Sequence, residues 1–431
     1  MNAFGLWGPG AELTWWPIIV GAVVNTACAL LGCLLVLRRL SLLGDAISHA
    51  VLPGIVAAFL VAGREAFGWL FAGAVLTGVL TALLVQTLHR RANVAEDAAM
   101  GVIFTALFSV GVLLLSNYAR DVHLDPSCVL YGDIEFTALD LEPFAGLLVP
   151  RVLPTMAAAL LLVVLFLGLL RKELLLASFD PALAAAMGFS AAFIHYLLMG
   201  MTAVVTVAAF EAIGSILAVA MLIVPPATAN LLTDRLNRMF VLAAVLACSA
   251  SFFGYLAARE LGVSGSGMMA VAAGAQFALA VLFAPKHGVT AKAWRTLMLA
   301  TRIAGEDLLA RLYRAEESGA SPRETAAART PTTGLVGRWA QRRLLRRGDL
   351  RTTPSGPALS EQGRREAESL VRAHRLWEAY LIENFQLPLD HVHEPAERIE
   401  HFLGPELQQR LAESLPKTDL DPHGREIPKG P

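Results

Sequence analysis

An aspartate and a histidine lie one helical turn apart inside the apolar segment RRLSLLGDAISHAVLPG. Asp45 and His49 have the i,i+4 spacing that puts two side chains on one face of a helix. Ionisable groups at membrane depth are costly and indicate function, and a carboxylate with an imidazole suits a divalent first-row cation. The spacing fits equally well a capping or interfacial role, with Ser41, Ser48 and nearby carbonyl groups as partners.

A further acidic residue, Glu211, occurs in the apolar stretch AAFEAIGS. It could neutralise a passing cation, or it could form a structural hydrogen bond with His195 or another polar neighbour. Further along, Pro225–Pro226 predicts a broken or kinked helix. Because broken helices at membrane depth are tolerated where they line a cavity, the two prolines point weakly to a pathway.

The elements that position these residues are apolar runs of membrane-spanning length. Of the 431 residues 55% are hydrophobic and only 16% are charged, and the charged residues are concentrated after residue 285. Each run can cross roughly 30 Å of hydrocarbon. We assign nine candidate spans: 15–37, 48–63, 67–88, 98–117, 145–170, 190–210, 212–233, 239–258 and 266–284. The predicted fold class is an all-α polytopic membrane domain followed by a charged, soluble tail.

Lysine and arginine are concentrated in the loops that contain Arg38, Arg90 and Arg171. By the positive-inside rule these loops face the cytoplasm, so the N-terminus is outside and the tail after Ala284 is cytoplasmic. The predicted location is the cell (inner) membrane. The sequence contains no GxxxxGK[ST] motif, so the chain is not predicted to be an enzyme, and any ATP hydrolysis must come from another polypeptide.

Several longer motifs resemble those of the permeases of manganese, zinc and iron ABC importers. They are GDAISHAVLPG, DPSCVLYGDI, SFDPALAAAMGFS, HYLLMGMTAVVTVAAFEAIGSILAVAMLIVPPATA and FAPKHG, within residues 15–288. The resemblance implies a second permease (identical or related), cytoplasmic ATPases and an extracytoplasmic metal-binding protein. It also implies that Asp45 and His49 line the metal pathway. The family often has glutamine near the position of Glu211, so this acid would be a local variation.

The segment Lys172–Gly188 resembles the cytoplasmic element that seats in the ATPase of such importers. The residues that carry this resemblance are Phe179, Asp180, Pro181 and Gly188. The segment follows a basic pair of residues that the orientation above already places in the cytoplasm. The resemblance therefore implies that it couples the permease to its ATPase.

The tail begins with a pattern of helices and a turn-rich strand segment. Residues 303–318 have apolar residues at helical spacing, and Gly334–Arg347 is a second, strongly basic helix. The arginines with a candidate binding role are Arg338, Arg342, Arg343 and Arg346. Residues 349–360 are rich in Thr, Pro and Gly, so the order is typical of a winged helix. The arginines could contact DNA, anionic lipid or solvent alone.

A cluster of imidazole and carboxylate groups follows in the tail. His374 and Glu378 are spaced i,i+4, and Glu397, Glu400 and His401 have spacings that share one helical face. Mixed nitrogen and oxygen ligands without thiolate suit Mn²⁺, Fe²⁺ or Zn²⁺. A charged amphipathic helix with chance histidines is the alternative.

This tail resembles the DtxR/MntR family of metal-dependent repressors over about residues 300–428, including the closing DPHGREIP. The resemblance puts these residues on metal-ligand positions: Asp307, His374, Glu397, Glu400 and His401. It puts Glu378 and His393 on an ancillary site of some members. One departure is Ala310, where manganese-type members have a glutamate, so the implied ligand set is incomplete.

These patterns predict four regions: a transmembrane permease domain (1–288), a linker (289–300), a winged-helix-like domain (301–365) and a metal-binding and dimerisation domain (366–431). The predicted function is the permease of an ATP-driven divalent-metal importer, with Mn²⁺ favoured over Zn²⁺ or Fe²⁺ and a metal-sensing tail. The metal is expected both as substrate and as tail ligand. The alternatives are a bifunctional transporter and DNA-binding regulator, and an ion-coupled secondary metal carrier.

Overall fold

The computed structural model describes residues 12–40, 42–62, 67–118, 132, 134–144, 146–319, 334–354, 356–415 and 419–429. Over these residues the protein is mostly helical, and the chain divides into two compact units, Met1–Ala291 and Lys292–Pro431. Most of the DPSCVLYGDI motif, and Ser41, lie outside the described residues.

The first unit consists of helices and one short antiparallel hairpin. Its helices are α1 (Glu12–Leu37), α2 (Leu43–Ala50), α3 (Leu52–Ala62), α4 (Phe67–Ala92), α5 (Glu96–Tyr118), α6 (Val152–Leu169), α7 (Arg171–Phe179), α8 (Pro181–Ala186), α9 (Ala191–Leu232), α10 (Leu236–Leu261) and α11 (Gly265–Phe283). A 3₁₀ turn, Ile134–Ala138, precedes the strands β1 (Leu141–Phe144) and β2 (Leu147–Pro150).

Eight helical stretches in the described residues are long and apolar enough to cross a membrane, against the nine spans predicted. The difference arises in α9, a 42-residue helix interrupted at Gly214, which has φ 73° and ψ 168°. A continuous helix of that length would span about 63 Å, roughly twice the hydrocarbon core. The two spans predicted at 190–210 and 212–233 are the two sides of this interruption.

The break in α9 is at Gly214 and not at Pro225–Pro226, through which the helical backbone continues. Only glycine adopts the backbone angles of Gly214 without strain. The site is also crowded, because a Cβ on Gly132 would lie 2.3 Å from the Gly214 nitrogen. Close contact between two glycine backbones therefore marks the interruption that the prolines were expected to produce.

Helix α1 lies at the centre of the first unit and packs against α9 and α10. Its side chains Val20, Leu31 and Leu35 are fully buried. A buried hydrogen bond from the Asn25 amide to the Ser251 hydroxyl, 2.8 Å long, joins α1 to α10. Small residues and interhelical hydrogen bonds are the contacts that hold helices together in lipid, where no hydrophobic drive operates between them.

The second predicted span, 48–63, begins earlier than expected, at Leu43, and consists of α2 and α3 separated at Val51. Asp45 therefore lies within the apolar helical stretch and not in the preceding loop. Pro53 and Gly54 belong to the first turn of α3 and are buried.

The second unit is a small helical domain with one hairpin. Its elements are α12 (Val289–Glu317), α13 (Leu335–Arg347), β3 (Leu350–Thr353), β4 (Gly356–Leu359), α14 (Glu361–Phe385), α15 (His393–Ile399) and α16 (Pro405–Ser414), with a 3₁₀ turn at Glu400–Phe402. Its core joins Leu308, Leu309 and Leu312 of α12 to Leu344 of α13 and to the hairpin. The helix predicted at 303–318 begins instead at Val289, so residues 289–300, assigned to a linker, are part of α12.

Candidate metal sites

Asp45 and His49 form a close pair on α2. His49 Nε2 lies 3.6 Å from Asp45 Oδ1, and the two side chains are 47% and 48% exposed. The imidazole lies beside Phe104 and Phe108 of α5. The Ser48 hydroxyl donates to the main-chain carbonyl of Asp45 and not to its carboxylate. The pair thus offers one oxygen and one nitrogen ligand on an open face, and further ligands would have to come from outside this helix.

Glu211 lies half-buried in α9, just before the Gly214 interruption. Of the alternatives for Glu211, the hydrogen bond to His195 is not the one formed by that imidazole, which has other partners. Its Nε2 lies 2.8 Å from Gln86 Oε1 and its Nδ1 3.5 Å from the Arg38 guanidinium. Among the described residues, Glu211 does not join Asp45 and His49 in a cluster with metal-ligand spacing, and its pathway role stays a prediction.

The segment predicted to couple to an ATPase forms two short helices, α7 and α8. Asp180 lies between them and caps α8, since its carboxylate accepts the Leu183 main-chain N–H at 2.9 Å. Pro181 occupies the first position of α8, where its fixed φ suits a helix start. Gly188 has φ 86° just after α8. Phe179 is exposed, so this helical pair presents an apolar surface.

The tail residues form two groups with metal-ligand spacing, each with its ligand atoms within 4.8 Å of one another. The His374 group consists of His374, Glu378 and His393. In it, His374 Nε2 lies 3.1 Å from Glu378 Oε1 and 3.0 Å from His393 Nδ1. The long helix α14 supplies the first two residues one turn apart, and α15 begins with the third.

The His401 group consists of Asp307, Glu400 and His401. His401 Nε2 lies 3.2 Å from Asp307 Oδ1. This contact joins the 3₁₀ turn, which carries His401, to α12, which carries Asp307. A contact of 2.6 Å between His374 Nδ1 and Glu400 Oε2 connects this group to the His374 group. His374 is therefore grouped with the two predicted ancillary residues and also contacts Glu400 of the Asp307 set, and the ligand set implied by the resemblance stays a prediction.

In both groups imidazoles and carboxylates stabilise each other's charge, so a metal ion would have to displace a proton from the imidazoles. Burial works against the charge on Glu378, but hydrogen bonds from His374 and His393 outweigh it and lower the pKa of that carboxyl to about 2. Burial likewise disfavours the His401 imidazolium, but Asp307 and Glu306 outweigh it and raise the pKa of His401 to about 9. Buried carboxylates facing imidazoles form a nitrogen and oxygen donor set that fits a divalent transition metal.

Glu397 and Glu306 are the two residues at which sequence and structure differ most. Glu397 is exposed and belongs to neither group. Glu306 was not predicted, yet its Oε2 lies 2.9 Å from His401 Nδ1 and its side chain is nearly buried. The signal that could have found it is the adjacent acidic pair Glu306–Asp307.

His423 was also missed, as its Nε2 lies 3.8 Å from Glu378 Oε1 at the edge of the His374 group. The helix α13 exposes the predicted basic residues Arg338, Arg342, Arg343 and Arg346, and the hairpin β3–β4 follows it. Helix and hairpin agree with the order expected of a winged helix. Contact of these arginines with DNA or lipid stays a prediction.

Apolar spanning helices that carry a carboxylate–imidazole pair, followed by a helical domain with two candidate metal-ligand groups, are typical of a metal-handling membrane protein. Residues 11–284 match the sequence profile of the ABC 3 transport family, and residues 360–429 match that of the iron dependent repressor, metal binding and dimerisation domain. The first match covers more than half of the chain, so the protein belongs to the ABC 3 transport family. It is a permease of this family fused to a domain of the repressor type.

The manganese transport system membrane protein MntD of Bacillus subtilis (strain 168) is 46% identical over 291 residues, which cover 67% of this chain and 98% of MntD. The zinc transport system membrane protein TroD of Treponema pallidum (strain Nichols) is 40% identical over 272 residues, 63% of this chain and 74% of TroD. The structure of PsaBC from Streptococcus pneumoniae in complex with Fab is similar, with a TM-score of 0.54 and 29% identity, covering 66% of this chain and 95% of that one.

Proposed function

We propose that this chain is the permease subunit of an ATP-driven importer that moves a divalent transition metal, with Mn²⁺ favoured over Zn²⁺ and Fe²⁺. The observation that carries the proposal is the Asp45–His49 pair in an apolar helix of an ABC 3 permease. Its oxygen and nitrogen donors, without thiolate, suit Mn²⁺. The named roles of MntD in manganese transport and TroD in zinc transport support the same cargo class.

The proposal includes three partners: a cytoplasmic ATPase, an extracytoplasmic metal-binding protein and a second permease. The exposed apolar residues Phe179 and Leu183 on α7 and α8 offer the ATPase a docking surface. The open face of Asp45 and His49 offers the second permease a place to complete the pathway. The positive-inside bias supports an outside N-terminus and a cytoplasmic tail, and family membership favours an ATP-driven importer over an ion-coupled carrier.

The tail would act as a sensor of the imported metal. One ion would be held by His374, Glu378 and His393, and another by Asp307, Glu400 and His401. A bound cation would supply a charge link between carboxylates on separate elements. Because Asp307 is on α12, next to the membrane domain in sequence, the His401 group is the one we assign to control of transport.

Metal uptake by the chain together with its ATPase and binding protein tests the proposed function. We expect Asp45→Asn and His49→Ala to abolish uptake while the ATPase still copurifies, because each substitution removes one of the two ligands. Asp97→Asn is the matched control, since Asp97 is an exposed acid at the start of α5. Normal uptake by Asp45→Asn, or uptake that follows an ion gradient and needs no ATP, would contradict the proposal.

A further inference from the structure

An open groove lies between the first half of α12 and the basic helix α13 in the second unit. Its volume is about 460 Å³, and its lining includes Trp294, Met298 and Trp339 together with Arg342, Arg343 and Arg346. The Arg343 guanidinium lies 3.9 Å from the Met298 sulfur, so the two helices face each other across the groove. We refer to it as the Trp294 groove.

The apolar part of the Trp294 groove is strongly exposed. Trp294 is 56% exposed and Trp339 is 53% exposed, with Met298 at 42%. Neighbouring large apolar side chains left in water usually mark an interaction surface. An indole has an apolar ring and one polar N–H, so it is stable where one side of its surroundings is apolar and the other is wet.

The charged part of the same groove carries a single sign. Three guanidinium groups line it, and the lining contains no carboxylate. In the part of the chain that the structure describes, none of the three arginines forms an ion pair with an acidic side chain. A ligand that complements both the guanidinium groups and the apolar side chains of the groove is therefore anionic at one end and apolar at the other.

We propose that the Trp294 groove binds an anionic phospholipid of the membrane in which the permease lies. The guanidinium groups would contact the headgroup phosphate, and the indoles and Met298 would contact the glycerol and upper acyl region. Trp294 follows closely after Phe283, where the last spanning helix ends, and even a fully extended chain of that length reaches only about 40 Å. Basic residues near an anionic bilayer surface are attracted to it.

Lipid explains the groove better than DNA does. A helix that reads the major groove presents polar side chains to the base edges, with arginines on the phosphates. On α13 the exposed arginines alternate with the bulky apolar Leu335 and Trp339, and α12 lines the same side. This mixture of aromatic and basic side chains is typical of the membrane interface.

Quenching of tryptophan fluorescence in the reconstituted full chain tests the proposal. The protein is placed in nanodiscs of phosphatidylcholine alone, or with part of it replaced by phosphatidylglycerol, with bromine on the acyl chains of the quenching lipid. The Trp294→Phe/Trp339→Phe variant gives the fluorescence of the other tryptophans. The difference between the full chain and this variant is the fluorescence of Trp294 and Trp339, which we call the groove signal. We expect the groove signal to be quenched by brominated phosphatidylglycerol and not by brominated phosphatidylcholine.

Charge variants identify the groups responsible. Replacing Arg342, Arg343 and Arg346 together by Glu is expected to remove most of the groove quenching, and replacement by Lys is expected to keep most of it. Arg410→Glu, an exposed reversal on α16, is the matched control and should leave the signal unchanged. The far-ultraviolet circular dichroism of each variant checks that the tail is folded.

Three outcomes would overturn the proposal. Equal quenching by both brominated lipids would mean that the arginines do not select an anionic lipid. A change in the fluorescence of Trp294 and Trp339 when inorganic phosphate is added to phosphatidylcholine discs, without any quenching by brominated phosphatidylglycerol, would indicate a small-anion site. Binding of duplex DNA to the full chain, lost in the Glu variant and without any quenching by phosphatidylglycerol, would assign the surface to nucleic acid.

Discussion

At the residue scale, Glu306 completes the His401 group. Its carboxylate contacts His401 Nδ1 while Asp307 contacts Nε2, so the imidazole is held from both sides. Groups that orient a metal ligand typically contribute about 10- to 100-fold to metal affinity. We predict that Glu306→Gln weakens metal binding by the full chain about tenfold or more, as measured by titration calorimetry after the membrane site is removed with His49→Ala.

The matched control for that prediction is Glu397→Ala in the same background. Glu397 is exposed and stands in neither group, so its loss should leave the affinity unchanged. If Glu397→Ala weakens binding and Glu306→Gln does not, the ligand set implied by the repressor resemblance is right, and Glu306 is not part of the His401 site.

The tail ligands were predictable from spacing only where one helix carries them. His374 and Glu378 are one turn apart within α14, and the structure brings them together as expected. Glu397, Glu400 and His401 were assigned to one helical face, but α15 ends at Ile399 and the last two lie in a 3₁₀ turn. Glu306 escaped detection because its spacing from Arg302 is that of an ordinary solvated ion pair.

At the element scale, the interruption of α9 depends on the absence of a side chain. Gly214 has backbone angles that only glycine adopts without strain, at a cost of about 1–3 kcal/mol for other residues. We predict that Gly214→Ala lowers the unfolding temperature of the detergent-solubilised protein and reduces metal uptake. Gly200→Ala is the matched control, because Gly200 lies in the same helix with helical angles and open space around it. Equal stability of the two variants would contradict the argument.

Helix α7 is tied to the end of α1 by one arginine. Arg38 donates to the Ser178 hydroxyl at 2.8 Å and to the Leu174 carbonyl at 3.5 Å, and it contacts His195 of α9. Helix α2, which carries the proposed pathway residues Asp45 and His49, begins only a few residues after Arg38. The side chain is therefore positioned to connect movement of α7, the proposed ATPase-facing helix, with movement at Asp45.

We predict that Arg38→Gln lowers the ratio of metal transported to ATP hydrolysed in the reconstituted importer, while ATPase binding persists. Arg39→Gln is the neighbouring control, since Arg39 is exposed. A variant in which uptake and hydrolysis fall in proportion would show that Arg38 only stabilises the fold.

The spanning elements were readable from the sequence because hydropathy over a spanning length is a strong signal. What the sequence did not reveal was where the helices break. The Pro225–Pro226 pair suggested a break, yet the surrounding helices accommodate it, and the interruption follows from the close backbone approach of Gly132 to Gly214. That approach joins residues distant in sequence, so no local pattern contains it.

At the scale of the whole molecule, one chain joins a proposed transport pathway to two candidate metal-binding groups in the tail. The membrane pair and the two tail groups differ in how they are built. Asp45 and His49 are half-exposed and offer two ligands, which suits an ion that must leave again. The His374 and His401 groups are largely buried and offer three ligands each, which suits longer occupancy. An ion imported past Asp45 and His49 could therefore be sensed by the two groups in the tail.

If the tail senses imported metal, raising the metal concentration inside vesicles should slow uptake by the full chain. His401→Ala should remove this inhibition without changing uptake at low internal metal, because His401 belongs to the tail and not to a membrane-spanning helix. Deletion of residues 289–431, which removes α12 from its first residue, should do the same, and Glu397→Ala should retain the inhibition. Allosteric coupling of this kind typically changes affinity about 5- to 150-fold. Uptake that responds identically to internal metal with and without the tail would eliminate feedback as its role.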